Sequence, residues 1–296
     1  MLAHLASGLA YLATARRQHI SDRLTSEQLA TPLPLPKGLE LRWIGTAGFR
    51  IAYQGVTLWL DPYVTRLPLA DLVRRRVVPA DEAAIERTVD RADAVLVGHT
   101  HFDHALDVPA IVRRTGAKAF GSTSLDHLMR LHGLGATIVE PHKRYEVGPF
   151  SFHFVPSVHS KLQLGLGIPY SGELTCDHLD HLTPQAYRCG QVWGICIEVA
   201  GTRFYHQGSA DLLEDEIKDR GVDVFLCGIS GRRFTPHYVE RIVKALAPQM
   251  IVPTHFDDFF HPVEANRFSF NVNLTGFAEE VRHASRDLPL HVLPAR

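Results

Sequence analysis

Between positions 99 and 104 the chain reads His-Thr-His-Phe-Asp-His, directly after the apolar run Ala94-Val-Leu-Val97 and Gly98. Four side chains able to ligate a metal fall within those six residues, where a buried strand would end. Imidazoles at i and i+2 converge when the backbone turns out of a strand, and the adjacent Asp103 and His104 then face a second position nearby. Neutral imidazole nitrogen and carboxylate oxygen are suitable donors for Zn²⁺, Mn²⁺ or iron. The 18 histidines of the sequence point the same way, because imidazole is the commonest metal ligand.

Composition narrows the class further. A chain of 296 residues, 45% hydrophobic and 21% charged, fits one large α/β domain or two small ones and excludes disordered or collagen-like structure. With 31 Lys+Arg against 32 Asp+Glu it lacks the basic excess that displaces counterions, so no nucleic-acid partner is expected. Cys176, Cys189, Cys196 and Cys227 form no C-x-x-C pair and read as reduced thiols in a cytoplasmic protein.

Residues 1–15 carry no Lys, Arg, Asp or Glu, and leucines at 2, 5, 9 and 12 form one helical stripe. A secretory leader would place positive charge ahead of such a run, whereas Arg16 and Arg17 follow it. The expectation is an amphipathic helix packed on the domain or on a second copy of the chain, with peripheral membrane contact as the alternative. Together with the Pro-rich linker 31–38 it makes an extension, residues 1–38, ahead of a domain at 39–296. Within that domain, strands are predicted at 39–44, 49–53, 56–60, 94–97, 117–120, 136–139, 150–158, 192–199, 202–206, 222–227, 249–252 and 289–293. Helices are predicted from Asp81 and at 107–114, 123–132, 211–219, 236–246 and 272–284, which makes a layered α/β domain. Residues 160–190 form an insert too long for an ordinary connection and read as a loop or lid, with entry of His178 or His181 into the site as the rival.

H-x-H-x-D-H after a strand resembles the metallo-β-lactamase superfamily, from about Leu39 to about Pro294. The resemblance implies a four-layer αββα sandwich. Leu58-Trp-Leu-Asp61 is similar to the strand whose Asp supports the histidine loop from behind, and His159 and His255 match the two later histidines, each at a strand end. The resemblance assigns His99, His101 and His159 to one metal and Asp103, His104 and His255 to another. It leaves Asp107 as a supporting carboxylate or a helix cap. Gly45-Thr-Ala-Gly-Phe49, His104-Ala-Leu-Asp107 and Pro253-Thr-His-Phe-Asp-Asp-Phe259 look most like the branch holding ascorbate-6-phosphate lactonase and N-acyl-phosphatidylethanolamine phospholipase D. One departure stands out: Ser209 occupies the slot of the family's bridging Asp. Either Asp211 reaches in to replace it, or no carboxylate bridge exists.

The implied cofactor is Zn²⁺, one or two ions, with Mn²⁺ or iron as alternatives. A cation lowers the pKa of bound water from about 15.7 to roughly 7, so the expected reaction is hydrolysis of an ester, lactone or phosphodiester by a metal-held hydroxide, with Asp103 orienting it. A small-molecule or lipid-like substrate is expected, with a phospholipid-like phosphodiester favoured and Arg232 and Arg233 available for its phosphate. The alternatives are a lactonase of small sugar-derived lactones and a non-catalytic metal-binding protein. His206, His153 and His237 remain as packing or supporting side chains, and a homo-oligomer is compatible with the sequence.

Overall fold

The computed structural model describes residues 17–161, 167–269 and 272–294. Two six-stranded sheets face each other. The first has the order β1(Glu40–Gly45), β2(Gly48–Tyr53), β3(Val56–Leu60), β4(Ala94–Leu96), β5(Lys118–Gly121), β6(Thr137–Ile138). The second runs β12(Met250–Thr254), β11(Val224–Gly228), β10(Thr202–Gln207), β9(Val192–Val199), β8(Phe150–Ser157), β7(Tyr145–Val147). In each sheet, antiparallel hairpins give way to parallel pairs at β3–β4 and at β10–β11, where α/β connections begin.

Strand alternation builds the layers. Leu58 and Leu60 of β3 point between the sheets, where they share a core with Phe152, Phe154, Ile195 and Ile197, while Trp59 points outward to the first helical layer. That layer contains α2(Leu69–Val73), α3(Glu82–Thr88), α4(Phe102–Ala105), α5(Val108–Thr115) and α6(Thr123–Leu131). The Asp81 side chain caps α3 by accepting from Ala84 N at 2.9 Å, the role its position in the sequence predicts. On the other side, α7(Tyr238–Leu246) and α8(Leu274–Ala284) cover the second sheet with Tyr238, Ile242 and Phe277. The result is the αββα sandwich.

Several local expectations give way to tertiary structure. The helix expected at 211–219 is a single 3₁₀ turn, Glu214–Glu216. Its acidic residues are drawn to different partners: Asp211 and Glu214 to Arg241, Glu216 to His142, and Asp219 to His153. The strand expected at 289–293 is reduced to one bridge between Leu290 and Ile251, since Pro289 and Pro294 bracket it and cannot donate to a ladder. Four strands or α-helices among the described residues lie outside the sequence expectations: β7, the short helices α2 and α4, and a helix α1 at residues 17–29. Helix α1 docks on the start of α8, where Asp22 accepts from Thr275 N at 2.9 Å. The amphipathic helix expected at 1–15 lies outside the described residues. Among those described, no helix is long and apolar enough to cross a membrane.

Candidate metal centre

The centre assembles at one end of the sandwich, where strands of both sheets stop. Asp61, immediately after β3, anchors it with a wholly buried carboxylate. Its Oδ1 accepts from Gly98 N at 2.6 Å, which fixes the turn out of β4. Its Oδ2 accepts from His206 Nε2 at 2.8 Å and lies 3.0 Å from His104 Nδ1. Gly208 is required beside it, because a Cβ there would sit 2.7 Å from Asp61 Oδ2. After Gly98 come His99 and His101, then the single turn α4, which presents Asp103 and His104. His159 follows β8, and His255 follows β12, with a left-handed φ of 62° and its N–H donating to Thr46 O at 2.8 Å.

These residues form two buried triads. His99, His101 and His159 make one, Asp103, His104 and His255 the other, and in each the ligand atoms lie within 4.8 Å of one another. His99 Nε2 and His101 Nδ1 are 3.1 Å apart, and His255 Nε2 is 3.1 Å from Asp103 Oδ2. Surrounding acceptors orient the rings. His101 Nε2 donates to Pro169 O at 2.8 Å and His159 Nδ1 donates to Ser160 O at 2.7 Å, leaving His101 Nδ1 and His159 Nε2 with lone pairs toward the centre. The Asp61 carboxylate likewise turns His104 Nε2 toward Asp103, at 3.8 Å.

Electrostatics favour this donor set. Burial pushes His101 down to about 4 and His159 to about 3, and burial with the neighbouring imidazoles presses His99 well below the ordinary value. All three rings are therefore neutral at pH 7 and free to ligate. Burial alone would raise Asp103, but His104 and His255 outweigh it and hold the carboxyl well below its usual range. Burial opposes a charge on His104, while Asp61 and Asp103 raise its pKa above the ordinary value. Five buried imidazoles and a carboxylate with their donor atoms this close suit divalent cations, to which both nitrogen and oxygen donate. The residues present fit two such ions.

A cavity of about 170 Å³ opens on the triads, lined by His101, Asp103, His159 and His255 together with Leu72, Phe102, Pro169, Tyr170, Ser230 and Phe259. Pro169 and Tyr170 come from the 160–190 insert, so its described part covers the centre. His178, exposed on that insert, and His181 are not among the residues lining this cavity. Leu72 and Ser230 had no sequence signal as lining residues, since chain folding alone brings them here.

The other sequence candidates have different places. Ser209 lies at the cavity wall, its Oγ accepting from Ser160 N at 3.0 Å. Asp211 does not reach the centre: its carboxylate faces Arg241 at 3.7 Å and accepts from Leu212 N at 2.9 Å. Asp107 neither caps α5 nor touches a triad; it accepts from Val64 N at 2.5 Å, Thr65 N at 2.7 Å and Thr65 Oγ1 at 2.5 Å, bracing the loop after β3. Arg232 is buried away from the cavity, donating to Val272 O, to Asn273 O at 2.8 Å and to Glu280 Oε2 at 3.1 Å. Arg233 lies over the Phe234 ring. The arginine pair forms part of a different groove and does not serve as a phosphate receptor at this centre.

Known proteins share this architecture. Residues 40–255 match the family described as the beta-lactamase superfamily domain. A UPF0173 metal-dependent hydrolase of Anaeromyxobacter sp. (strain K) is 27% identical over 241 residues, 74% of this chain and 75% of that protein. Another, from Symbiobacterium thermophilum, is 25% identical over 272 residues, 86% of this chain and 97% of its own length. Among solved structures, Igni18, a metallo hydrolase of the archaeon Ignicoccus hospitalis, aligns with a TM-score of 0.56 at 20% identity over 87% of this chain and 96% of that one. CmlA, a diiron β-hydroxylase from Streptomyces venezuelae, shares the fold with a TM-score of 0.57 at 14% identity, over 88% of this chain and 54% of its own. With a family match over most of its length and a two-sheet sandwich carrying the histidine loop at a strand end, this chain belongs to the metallo-β-lactamase superfamily.

Proposed function

We propose that the protein is a metal-dependent hydrolase cleaving a phosphodiester in a lipid-like molecule, with an ester or lactone as the nearest alternative. The observation that carries this reading is the pair of buried triads facing one cavity. Three protein donors per position leave each position open, as catalysis requires and a closed four-ligand site does not allow. Zn²⁺ fits these nitrogen and oxygen donors, and when bound the cations supply Lewis acidity and a water that ionises near neutral pH.

The chain's residues do the positioning. Asp103, ionised and at the cavity wall, would accept a hydrogen bond from the attacking water and so direct a lone pair of that water at the substrate. His255, whose Nε2 lies 3.1 Å from Asp103 Oδ2, would share the second ion with that carboxylate. Among the described residues no carboxylate links the two triads, because Ser209 stands where the family's bridging Asp would be. Asp103 is the one carboxylate among the donors and the Asp61 carboxylate stands behind His104, so two divalent cations would keep a net positive charge at the cavity, which favours an anionic phosphodiester over a neutral lactone.

The lipid-like part of the reading rests on the rim. Leu72, Phe102, Pro169 and Phe259 give the cavity apolar walls. Helix α2, which contributes Leu72, leaves Leu69 and Val73 exposed at 53% and 74%, just before Arg74-Arg75-Arg76. Apolar and basic side chains side by side suit an anionic membrane surface. This keeps the chain beside the branch containing N-acyl-phosphatidylethanolamine phospholipase D. A panel of phosphodiester, lactone and aryl-ester substrates tests it: the Zn²⁺-loaded protein turns over phosphodiesters fastest, and the double variant His99→Ala/His101→Ala loses turnover and the first-triad metal together. Turnover retained by that variant, or no turnover of any substrate class at full metal load, overturns it.

A further inference from the structure

A third group of donors stands on the second sheet, away from the cavity. His153 of β8 and Cys196 of β9 are directly opposed across the antiparallel pair. Their neighbours Phe152, Phe154, Ile195 and Ile197 point between the sheets, so alternation sends His153 and Cys196 to the outer face. Asp219, from the segment joining β10 to β11, lies over them, with Oδ2 2.8 Å from His153 Nε2. One donor atom from each of the three lies within 4.8 Å of the other two. Cys196 is fully buried, while the His153 and Asp219 side chains keep 22% and 15% exposure, which leaves a way in from solvent.

The surroundings show what such a group would do. Residues 211–220 contain one 3₁₀ turn and no α-helix. Leu212 and Ile217 anchor the segment in the core, and side-chain pairs hold its surface, Arg241 with Asp211 and Glu214, and His142 with Glu216 at 3.0 Å. His142 stands next to the group, its ring centroid 6.4 Å from that of His153. We propose that His153, Cys196 and Asp219 form a metal site separate from the hydrolytic centre, taking one thiophilic divalent cation of the Zn²⁺ class that clamps the 211–220 segment onto β8 and β9. One nitrogen, one sulfur and one oxygen donor are a combination that Zn²⁺ accepts and that Mg²⁺ or Ca²⁺ does not. Burial pushes the Cys196 thiol up, so the metal-free protein holds it protonated, and ion binding releases that proton to solvent as the thiolate forms.

Cobalt substitution of the full chain tests the proposal, because both triads of the hydrolytic centre offer only nitrogen and oxygen. Co²⁺-loaded protein shows a near-ultraviolet sulfur-to-cobalt charge-transfer band. That band is lost in Cys196→Ser and in Asp219→Asn and kept in Cys176→Ser and Cys189→Ser. It also survives in His99→Ala/His101→Ala, so this site stands or falls apart from the hydrolase reading. Zn²⁺-loaded Cys196→Ser holds one equivalent less metal than the parent, and its amide exchange across 211–220 rises about tenfold or more. A parent without the band, a band that survives Cys196→Ser, or equal metal content in the two proteins overturns the site and leaves an Asp–His pair with a buried thiol beside it.

Discussion

His101 Nε2 donates to the carbonyl oxygen of Pro169 at 2.8 Å, so a ligand of the first triad is oriented by the insert that covers it. The insert is pinned by Glu173, which accepts from Thr123 Oγ1 at 3.0 Å and from Ser124 Oγ, and by Leu174 N, which donates to Ser124 Oγ at 2.8 Å. Replacing Glu173 with Ala unpins this edge without touching a ligand. Supporting hydrogen bonds behind metal-ligating histidines are worth about 10–100-fold in affinity. Chelator competition should therefore show metal leaving Glu173→Ala about tenfold more readily, with the loss confined to one equivalent. Unchanged retention would mean that the insert is a passive cover.

Asp61 serves three partners at once: Gly98 N, His104 and His206. In Asp61→Asn an amide nitrogen must face either the Gly98 N–H or the two imidazoles. If it faces the rings, it demands the opposite tautomer of His104 and turns a protonated nitrogen toward the centre. The second triad should bind its ion about 10–100-fold more weakly while the first holds its own. Isothermal titration of the metal-free variant resolves the two steps, and two unaltered steps would count against this role.

Asp107 offers a pH-dependent test. Burial pushes its carboxyl up to about 6 from the ordinary 3.8, against the hydrogen bonds from Thr65 and Val64. A folded-state pKa above the unfolded one means that its contribution is fully present below pH 3.8 and is lost as pH rises through about 6. The difference amounts to about 3 kcal/mol. Metal-free Asp107→Asn does not titrate there, so the stability gap between parent and variant, measured by urea unfolding, should be largest near pH 4 and narrow toward pH 7. A gap independent of pH would show that Asp107 is not the titrating group.

Arg232 separates stability from chemistry. It is buried, lies 5.5 Å from the Phe277 ring centroid, and satisfies the carbonyls of Val272 and Asn273 at the start of α8. Arg232→Ala strips the Val272 carbonyl of its donor, leaves the Asn273 carbonyl with Phe277 N alone, and should lower stability by about 2–4 kcal/mol. The fraction that stays folded should keep the parent kcat and KM. A raised KM for phosphodiesters at parental stability would return Arg232 to the substrate.

The contrast between Arg232 and His255 shows what the sequence made legible. Candidate ligand positions can be read because the histidine loop, His159 and His255 each follow an apolar strand, and strand periodicity is a local pattern. Asp61, directly after β3, is legible only through the resemblance of Leu58-Trp-Leu-Asp61 to the family's supporting strand. An Arg-Arg pair carries no such pattern, and its burial comes from α8, some 40 residues further on. The 211–219 segment has helical composition locally, but its acids are partitioned among basic groups on β8, α7 and the loop before β7. Leu72 and Ser230 meet at the cavity through three-dimensional packing, which one-dimensional spacing does not encode.

The two triads draw on both halves of the sandwich. His99 to His104 extend from the first sheet, whereas His159 and His255 extend from the second, up to 156 positions further along the chain. Neither triad is complete until the sheets have closed on each other, because each lacks one member before then. On the two-ion reading, loading with metal is thus a checkpoint on assembly: a chain arrested with only the first sheet finished would hold two donors for each position. The full affinity, and with it any activity, belongs only to molecules in which the last strand, β12, has come home.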